Sequence, residues 1–184
     1  MKAVLLATVV VVVLVVAPDA SASRTAAPWA AYLAPAAACP DSGNAAASSA
    51  AQLRAMTCLI NWTRRQIGVR PLIWSRRLAG AAETKARVVV ECGDFSHYPC
   101  GTRWPAAAAI GPRRWDVWGE NLYVGNLWLR SPRAAMLAWL ESPEHRAVLF
   151  GRAWRNLGVS VLRAPSLIGA SGVSLWVLEV AGRS

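Results

Sequence analysis

The sequence predicts an α+β fold in which helices pack against an antiparallel sheet. Two observations support this class. Helical patterns occupy the first half and the middle of the chain, and β-branched apolar runs cluster near its end. Helices and strands that are grouped in this way are typical of α+β domains, because alternating βαβ units would interleave them.

The first 22 residues have the pattern of an export signal. Lys2 precedes an apolar stretch from Ala3 to Val16, and small residues lead to a cleavage site after Ala22. The stretch is shorter than the roughly 20 residues that a membrane-spanning helix needs. We therefore expect a secreted protein with no transmembrane anchor after cleavage; the alternative is an uncleaved anchor.

The segment 23–49 is rich in Ala, Ser and Pro and is expected to form a partly disordered arm before a domain over residues 50–184. The domain is predicted to begin with a helix near Ser49, because apolar residues recur at spacings of three and four and Gly68 then ends the pattern. Ser75 is predicted to cap a second helix over about 76–91.

The rest of the chain is predicted to alternate between irregular and regular segments. Residues 93–118 lack periodicity, and 119–124 are expected to form a short strand. A helix over 132–140 is predicted, followed by another, capped by Ser142, that runs to Phe150. Two β-branched runs, 156–162 and 174–180, predict an antiparallel hairpin with a rather long loop.

The chain is strongly basic, with 20 Lys and Arg against 10 Asp and Glu. This balance favours anionic partners such as an envelope polymer or an anionic lipid. The arginines are spread along the sequence, so a generally solvated basic surface is the alternative. No nucleic-acid motif is present, and specific nucleic-acid binding is not expected. We expect a monomer.

Four cysteines in an exported chain predict disulfides. Four cysteines can be connected in three ways, and we favour the one that joins neighbours, Cys39–Cys58 and Cys92–Cys100. A zinc–thiolate site is the alternative, although the chain has no C-x-x-C pair.

The only two histidines of the chain, His97 and His145, are candidates for chemistry. His145 is the third residue of a predicted helix, where the free N–H groups disfavour an imidazolium. A metal needs the neutral imidazole. Glu120, between Gly119 and Asn121, would by itself be read as a turn residue.

Six short motifs occur along the chain in a characteristic order: Cys58–Arg64 followed by Gly68–Leu72, Phe95–His97, Gly119–Leu122, Trp139–Arg146, Asn156–Val159 and Trp176–Val177. In this order they resemble the bacterial branch of the CAP superfamily, which includes cysteine-rich secretory proteins, antigen 5 and pathogenesis-related proteins.

The resemblance implies a three-layer α-β-α sandwich with a central antiparallel sheet and an open cleft. It further implies that His97, Glu120 and His145 line this cleft and hold a divalent metal such as Zn²⁺. The fourth ligand of the wider family does not map cleanly, and Glu141 and Glu144 are its candidates.

Other residues are expected to line the same cleft. Asn121 follows Glu120 directly. Trp104, Trp115 and Trp118, three of ten tryptophans, fall between the two cleft motifs and are candidates for an apolar or sugar-stacking wall. Burial in the core is the alternative for these tryptophans.

Three hypotheses for function follow. The first is a secreted binding module for a lipid or an envelope polymer. The second is a metal-dependent hydrolase, such as a peptidase, with Glu120 as the general base. The third is a structural extracellular protein with a vestigial cleft.

Overall fold

The computed structural model describes residues 28–102 and 115–183. The predicted export signal, residues 1–22, and Trp104 lie outside these residues. The described helices are α1 (Ser49–Gln66), α2 (Arg76–Cys92), α3 (Pro132–Glu141) and α4 (Pro143–Phe150). The strands are β1 (Ile73–Trp74), β2 (Val117–Asn126), β3 (Trp154–Leu167) and β4 (Ala170–Gly182). The α+β class is confirmed.

Each of the four helices begins with a serine whose hydroxyl accepts a hydrogen bond from a backbone N–H group in the first turn. The predicted caps Ser75 and Ser142 are both present, joined by Ser48 and Ser131. A cap of this kind typically contributes about 1 kcal/mol. The helix starts are therefore fixed by local sequence, which is why they could be predicted.

The sheet has the strand order β1-β3-β4-β2. The three long strands pair antiparallel, as predicted. The two-residue strand β1 pairs parallel to β3 through Ile73 with Asn156 and Trp74 with Leu157. The sheet is therefore mixed at one edge, which the expectation of a fully antiparallel sheet missed because β1 is too short to show a strand pattern.

The β3–β4 hairpin has a tight turn at Ile168 and Gly169, both with positive φ. The prediction of a rather long loop between residues 162 and 174 was therefore wrong. Pairing continues to Leu167 opposite Ala170. Pro165 is tolerated because β1 covers β3 only near Asn156, so this part of β3 lies at an edge, where a missing N–H group costs little.

Helices cover both faces of the sheet. Alternate residues of β4 enter different apolar clusters: Trp176, Leu178 and Val180 pack with α1 and α3, whereas Leu175 and Val177 pack with α2. Helix α2 lies very close to β3 at Gly158, where a Cβ atom would be 2.1 Å from the backbone nitrogen of Ala79.

The N-terminal segment 28–48 is packed, so the expected partial disorder is wrong for these residues. Ala34 and Cys39 are fully buried, and the side chain of Arg133 donates to the Ala34 carbonyl oxygen. Both predicted disulfides, Cys39–Cys58 and Cys92–Cys100, are confirmed. Within 28–102 and 115–183, no helix is long and apolar enough to cross a membrane.

Candidate functional site

Two of the predicted site residues, His97 and Glu120, are in direct contact. The Nδ1 atom of His97 lies 2.6 Å from Oε1 of Glu120. Strand β2 carries Glu120, and the loop after α2 carries His97. The Cys92–Cys100 disulfide closes that loop. The short covalent ring holds His97 near the end of α2 and limits the positions its imidazole can reach.

A buried lysine completes this contact. The ammonium group of Lys85 lies 3.2 Å from Oε1 of Glu120 and donates a hydrogen bond to the carbonyl oxygen of His97. The side chains of Lys85 and Glu120 are only 3% and 5% exposed. A buried carboxylate is stable only when it is paired, and Lys85 supplies that pairing from within the chain.

Sequence reasoning missed Lys85, although two signals were present. It is the only lysine after residue 22, in a chain that otherwise uses arginine. It also falls on the apolar stripe of α2, at spacings of four, three and four with Leu78, Ala82 and Val89. A single charge on the buried face of a helix indicates an internal partner.

Glu179 of β4 lies opposite Glu120 of β2 and is fully buried. Burial raises the pKa of Glu179 well above its ordinary value, and the negative charge of Glu120 raises it further. Oε2 of Glu120 is buried without a donor in the described part of the chain. A protonated Glu179 can supply one. The missed signal was a lone acid within the apolar β4 run.

His145 lies near the start of α4. Its backbone N–H group donates to Ser142 Oγ, and its carbonyl oxygen accepts a 3.1 Å hydrogen bond from Nδ2 of Asn121. Burial lowers the pKa of His145, and the positive charge of His97 lowers it further. Asn121, predicted to line the cleft, is instead buried and fixes the position of α4.

Adjacent residues of β2 contact helices on opposite faces of the sheet. Glu120 pairs with Lys85 of α2, whereas the next residue, Asn121, donates to the backbone carbonyl oxygen of His145 in α4. Among residues 28–102 and 115–183, no three His, Cys, Asp or Glu side chains are placed to hold a metal ion. The structure brings together His97 and Glu120.

The two candidates for a fourth ligand lie at the junction of α3 and α4. Glu141 is the last residue of α3 and is exposed. Glu144 is also exposed and accepts a 2.9 Å hydrogen bond from Ser142 Oγ. Its pKa is lowered by a hydrogen bond from its own backbone N–H group and then by Ser142. Glu144 is thereby engaged in the start of α4.

Trp115 and Trp118, both predicted to form a wall of the cleft, lie in different parts of the structure. Trp118 on β2 is 42% exposed and, two residues before Glu120, shares its face of the strand. Trp115 is buried with Leu78 and Ala181, and its indole N–H group donates to Asn156. The placement of Trp115 in the His97 cleft was therefore wrong, because it packs at the opposite end of α2.

Comparisons with known proteins agree with this fold. The model of the cysteine-rich secretory protein family (CAP) matches residues 57–178. No curated protein matches the chain in a sequence search.

Three solved bacterial structures are similar in fold. An extracellular protein containing an SCP domain from Bacillus anthracis is 20% identical, with a TM-score of 0.58 over 73% of this chain and 41% of that one. An outer surface protein from Borrelia burgdorferi is 18% identical, with a TM-score of 0.63 over 75% and 97%. A cysteine-rich secretory protein from Staphylococcus aureus is 17% identical, with a TM-score of 0.56 over 74% and 40%. The chain thus spans about two fifths of the first and third proteins.

Proposed function

Because the chain belongs to the cysteine-rich secretory protein (CAP) family, we propose that it is an exported binding module whose partner is an anionic envelope polymer. Three observations support export: the signal pattern of residues 1–22, the two disulfides, and relatives described as an extracellular and an outer surface protein.

The state of Glu120 carries the proposal of binding without hydrolysis. A general base must reach a water molecule with a free carboxylate oxygen. Oε1 of Glu120 is already shared by Lys85 and His97, and Oε2 is buried beside Glu179. The carboxylate is therefore committed to internal contacts, which argues against the metal-dependent hydrolase hypothesis.

The surface charge favours an anionic polymer as the partner. The chain has a net charge of +10, and many arginines, among them Arg65, Arg70, Arg76 and Arg77, are exposed. A basic surface attracts a polyanion over a distance of about one Debye length, and several weak contacts to one chain add up. The polymer would thus be bound by several separate patches.

The residues of the His97 cleft fit a metal poorly. A catalytic zinc ion usually has three protein ligands, and a structural one has four. Here Glu120 is positioned to orient His97, as carboxylates commonly do for metal-binding imidazoles, and only two imidazoles are left to bind. Zinc binding stays a prediction, and no catalytic step is derived from it.

A lipid is the second candidate partner, and one apolar groove favours it. This groove, of about 460 Å³, is lined by Ala50, Leu53, Arg54 and Thr57 of α1 and by Trp74. Its lining is almost entirely apolar, as an acyl chain requires.

The test is a binding assay with the oxidised, signal-free protein. Polygalacturonate is compared with neutral dextran, and phosphatidylglycerol vesicles are compared with phosphatidylcholine vesicles. We expect retention on polygalacturonate that decreases as salt is added. Equal retention on dextran would refute the polymer proposal. Peptide or ester hydrolysis that requires Glu120 would refute binding without catalysis, and failure to bind either partner would favour the vestigial cleft.

A further inference from the structure

A second cavity lies at the N-terminal end of α2. It has a volume of about 500 Å³, within the range of small-molecule sites. Two tryptophans, Trp74 and Trp115, and four arginines, Arg76, Arg77, Arg155 and Arg183, contribute to its lining. We call it the arginine–tryptophan pocket. Arg76 and Lys85 are nine residues apart on α2, or about 14 Å along its axis, so this pocket is separate from the His97 cleft.

The walls of this pocket are held by hydrogen bonds. The backbone N–H group of Ser75 donates to the carbonyl oxygen of Leu157, which fixes the chain just after Trp74. The indole N–H group of Trp115 donates to Asn156 Oδ1 at 3.3 Å, and Nδ2 of Asn156 donates to the Ile73 carbonyl oxygen. The pocket is therefore formed before any ligand binds.

The charged residues of its lining are all arginines. None of the lining residues is acidic, and no ion pair involves Arg76 or Arg77 in the described part of the chain. Arg155 is oriented by hydrogen bonds from its guanidinium to the carbonyl oxygens of Arg152, Ala153 and Trp154. An anion is the ligand that such a set of donors can satisfy.

The position of Arg76 and Arg77 is unfavourable for the helix itself. They are the first two residues of α2, and no acid occupies that first turn. Positive charges at a helix N-terminus oppose the helix dipole and cost some stability. Residues that break a local rule without a structural gain are commonly found at functional sites.

We propose that the arginine–tryptophan pocket binds an acidic sugar unit, a saccharide that carries a carboxylate or a phosphate group. Arg76 and Arg77 would bind the anion. The indole of Trp74, a residue that is 39% exposed, would pack against the apolar C–H face of the sugar ring. The lining thus combines cationic and aromatic side chains, as this ligand requires. The inference rests on the proposed function, because acidic sugars are repeating units of anionic polymers.

An anionic amphiphile is the rival ligand, since Trp74 also borders the apolar groove. In that case the anion would bind at Arg76 and Arg77 while the alkyl chain entered the groove. The alkyl chain would then lie outside the arginine–tryptophan pocket and leave much of its volume of about 500 Å³ unfilled, and this favours the sugar.

Titration calorimetry tests the proposal. Trigalacturonate and glucose 6-phosphate are the acidic sugars, and their comparison shows which anion is preferred. Maltotriose is the neutral sugar, inorganic phosphate is the bare anion and decyl phosphate is the amphiphile. We expect at least one acidic sugar to bind at least about tenfold more tightly than maltotriose and inorganic phosphate.

Two matched pairs of variants locate the binding. Arg76→Gln with Arg77→Gln should weaken binding by about tenfold or more, whereas Arg65→Gln with Arg70→Gln, the same loss of charge elsewhere, should change it less than about twofold. Trp74→Ala should weaken binding, whereas Trp128→Ala, at a residue that is 77% exposed, should not. Thermal unfolding checks the fold, and the Arg76/Arg77 variant should not be destabilised, because it removes charges that oppose the dipole.

Three results would overturn the pocket assignment. One is equal weakening by the two arginine pairs. Another is binding of inorganic phosphate as tight as that of the acidic sugars and independent of Trp74. The last is binding of decyl phosphate alone, abolished by Ala50→Glu in the groove. Trigalacturonate binding that is unchanged by Arg76→Gln with Arg77→Gln, while the protein is still retained on polygalacturonate, would refute this pocket and leave the proposed function standing. If the wild-type protein is not retained on polygalacturonate, the proposed function is refuted.

Discussion

Glu120 and Glu179 face each other across strands β2 and β4, both are buried, and Lys85 pairs with Glu120 at 3.2 Å. Two ionised carboxylates buried together away from water would repel each other strongly. One positive charge and one retained proton together remove that repulsion. The centre of the predicted cleft is thus electrically balanced by the chain itself.

Lys85→Met should destabilise the protein by about 3–5 kcal/mol, because it leaves Glu120 buried without its cation. The matched control is Arg87→Met, on the same helix, which removes an exposed ion pair with Glu83. That change should cost less than about 1 kcal/mol. Urea unfolding measures both. Similar losses for the two variants would contradict an internal cation role for Lys85.

Glu179→Gln should gain stability relative to the wild type as pH rises. The pKa of Glu179 is higher in the folded state than its unfolded value of about 4.3. Below that value both states hold the proton. As pH rises towards the folded pKa, only the unfolded state releases the proton, so the wild type loses stability. The amide side chain of the variant has no proton to release in this range.

Melting temperatures at pH 4, 6 and 8 check this prediction, with Glu83→Gln at an exposed position as the control. The Glu179→Gln difference from wild type should shift in favour of the variant across this range. A difference that stays constant with pH would contradict a retained proton.

Replacing both Cys92 and Cys100 with alanine should reduce the free energy of unfolding by about 2.5 kcal/mol, from the loop entropy of an eight-residue separation. The corresponding change at Cys39 and Cys58, 19 residues apart, should cost about 3 kcal/mol. Denaturant unfolding with and without reductant measures both. No change at Cys92 and Cys100 would mean that the His97 loop is ordered by other contacts.

Zinc should bind weakly, and through imidazoles only. Calorimetry of the wild type against the His97→Ala, His145→Ala double variant measures this, and Glu144→Gln serves as a control. We expect the heat of binding to disappear in the double variant and to persist in the control. Equal heats for wild type and double variant would refute the zinc prediction.

The elements that could be predicted from sequence are those fixed locally. The serine caps of α2 and α4 and the apolar spacing of α1 define helices that need no distant partner. Cysteines that are neighbours in sequence are paired, as the lower entropic cost of closing a short loop favours. Strand β1 was missed because two residues acquire their pairing only from β3.

The site was harder to predict because it depends on register and face. Glu120 and Asn121 are adjacent in sequence, yet they contact helices on opposite faces of the sheet. The motif order does not show this alternation, by which Asn121 binds the backbone of α4. The partner of Glu179 could be identified only from the β2–β4 register, which places it opposite Glu120.

At the level of the gene, the close approach at Gly158 leaves little room for change. Every missense mutation of its codon adds at least one carbon atom where 2.1 Å separates the Cβ position from the backbone of Ala79. Helix α2 would be pushed away from β3, and it carries Arg76 and Arg77 at its first residues and Lys85 near its middle. One codon, which encodes neither a charge nor a ligand, therefore sets how close both of these chemical groups lie to the sheet.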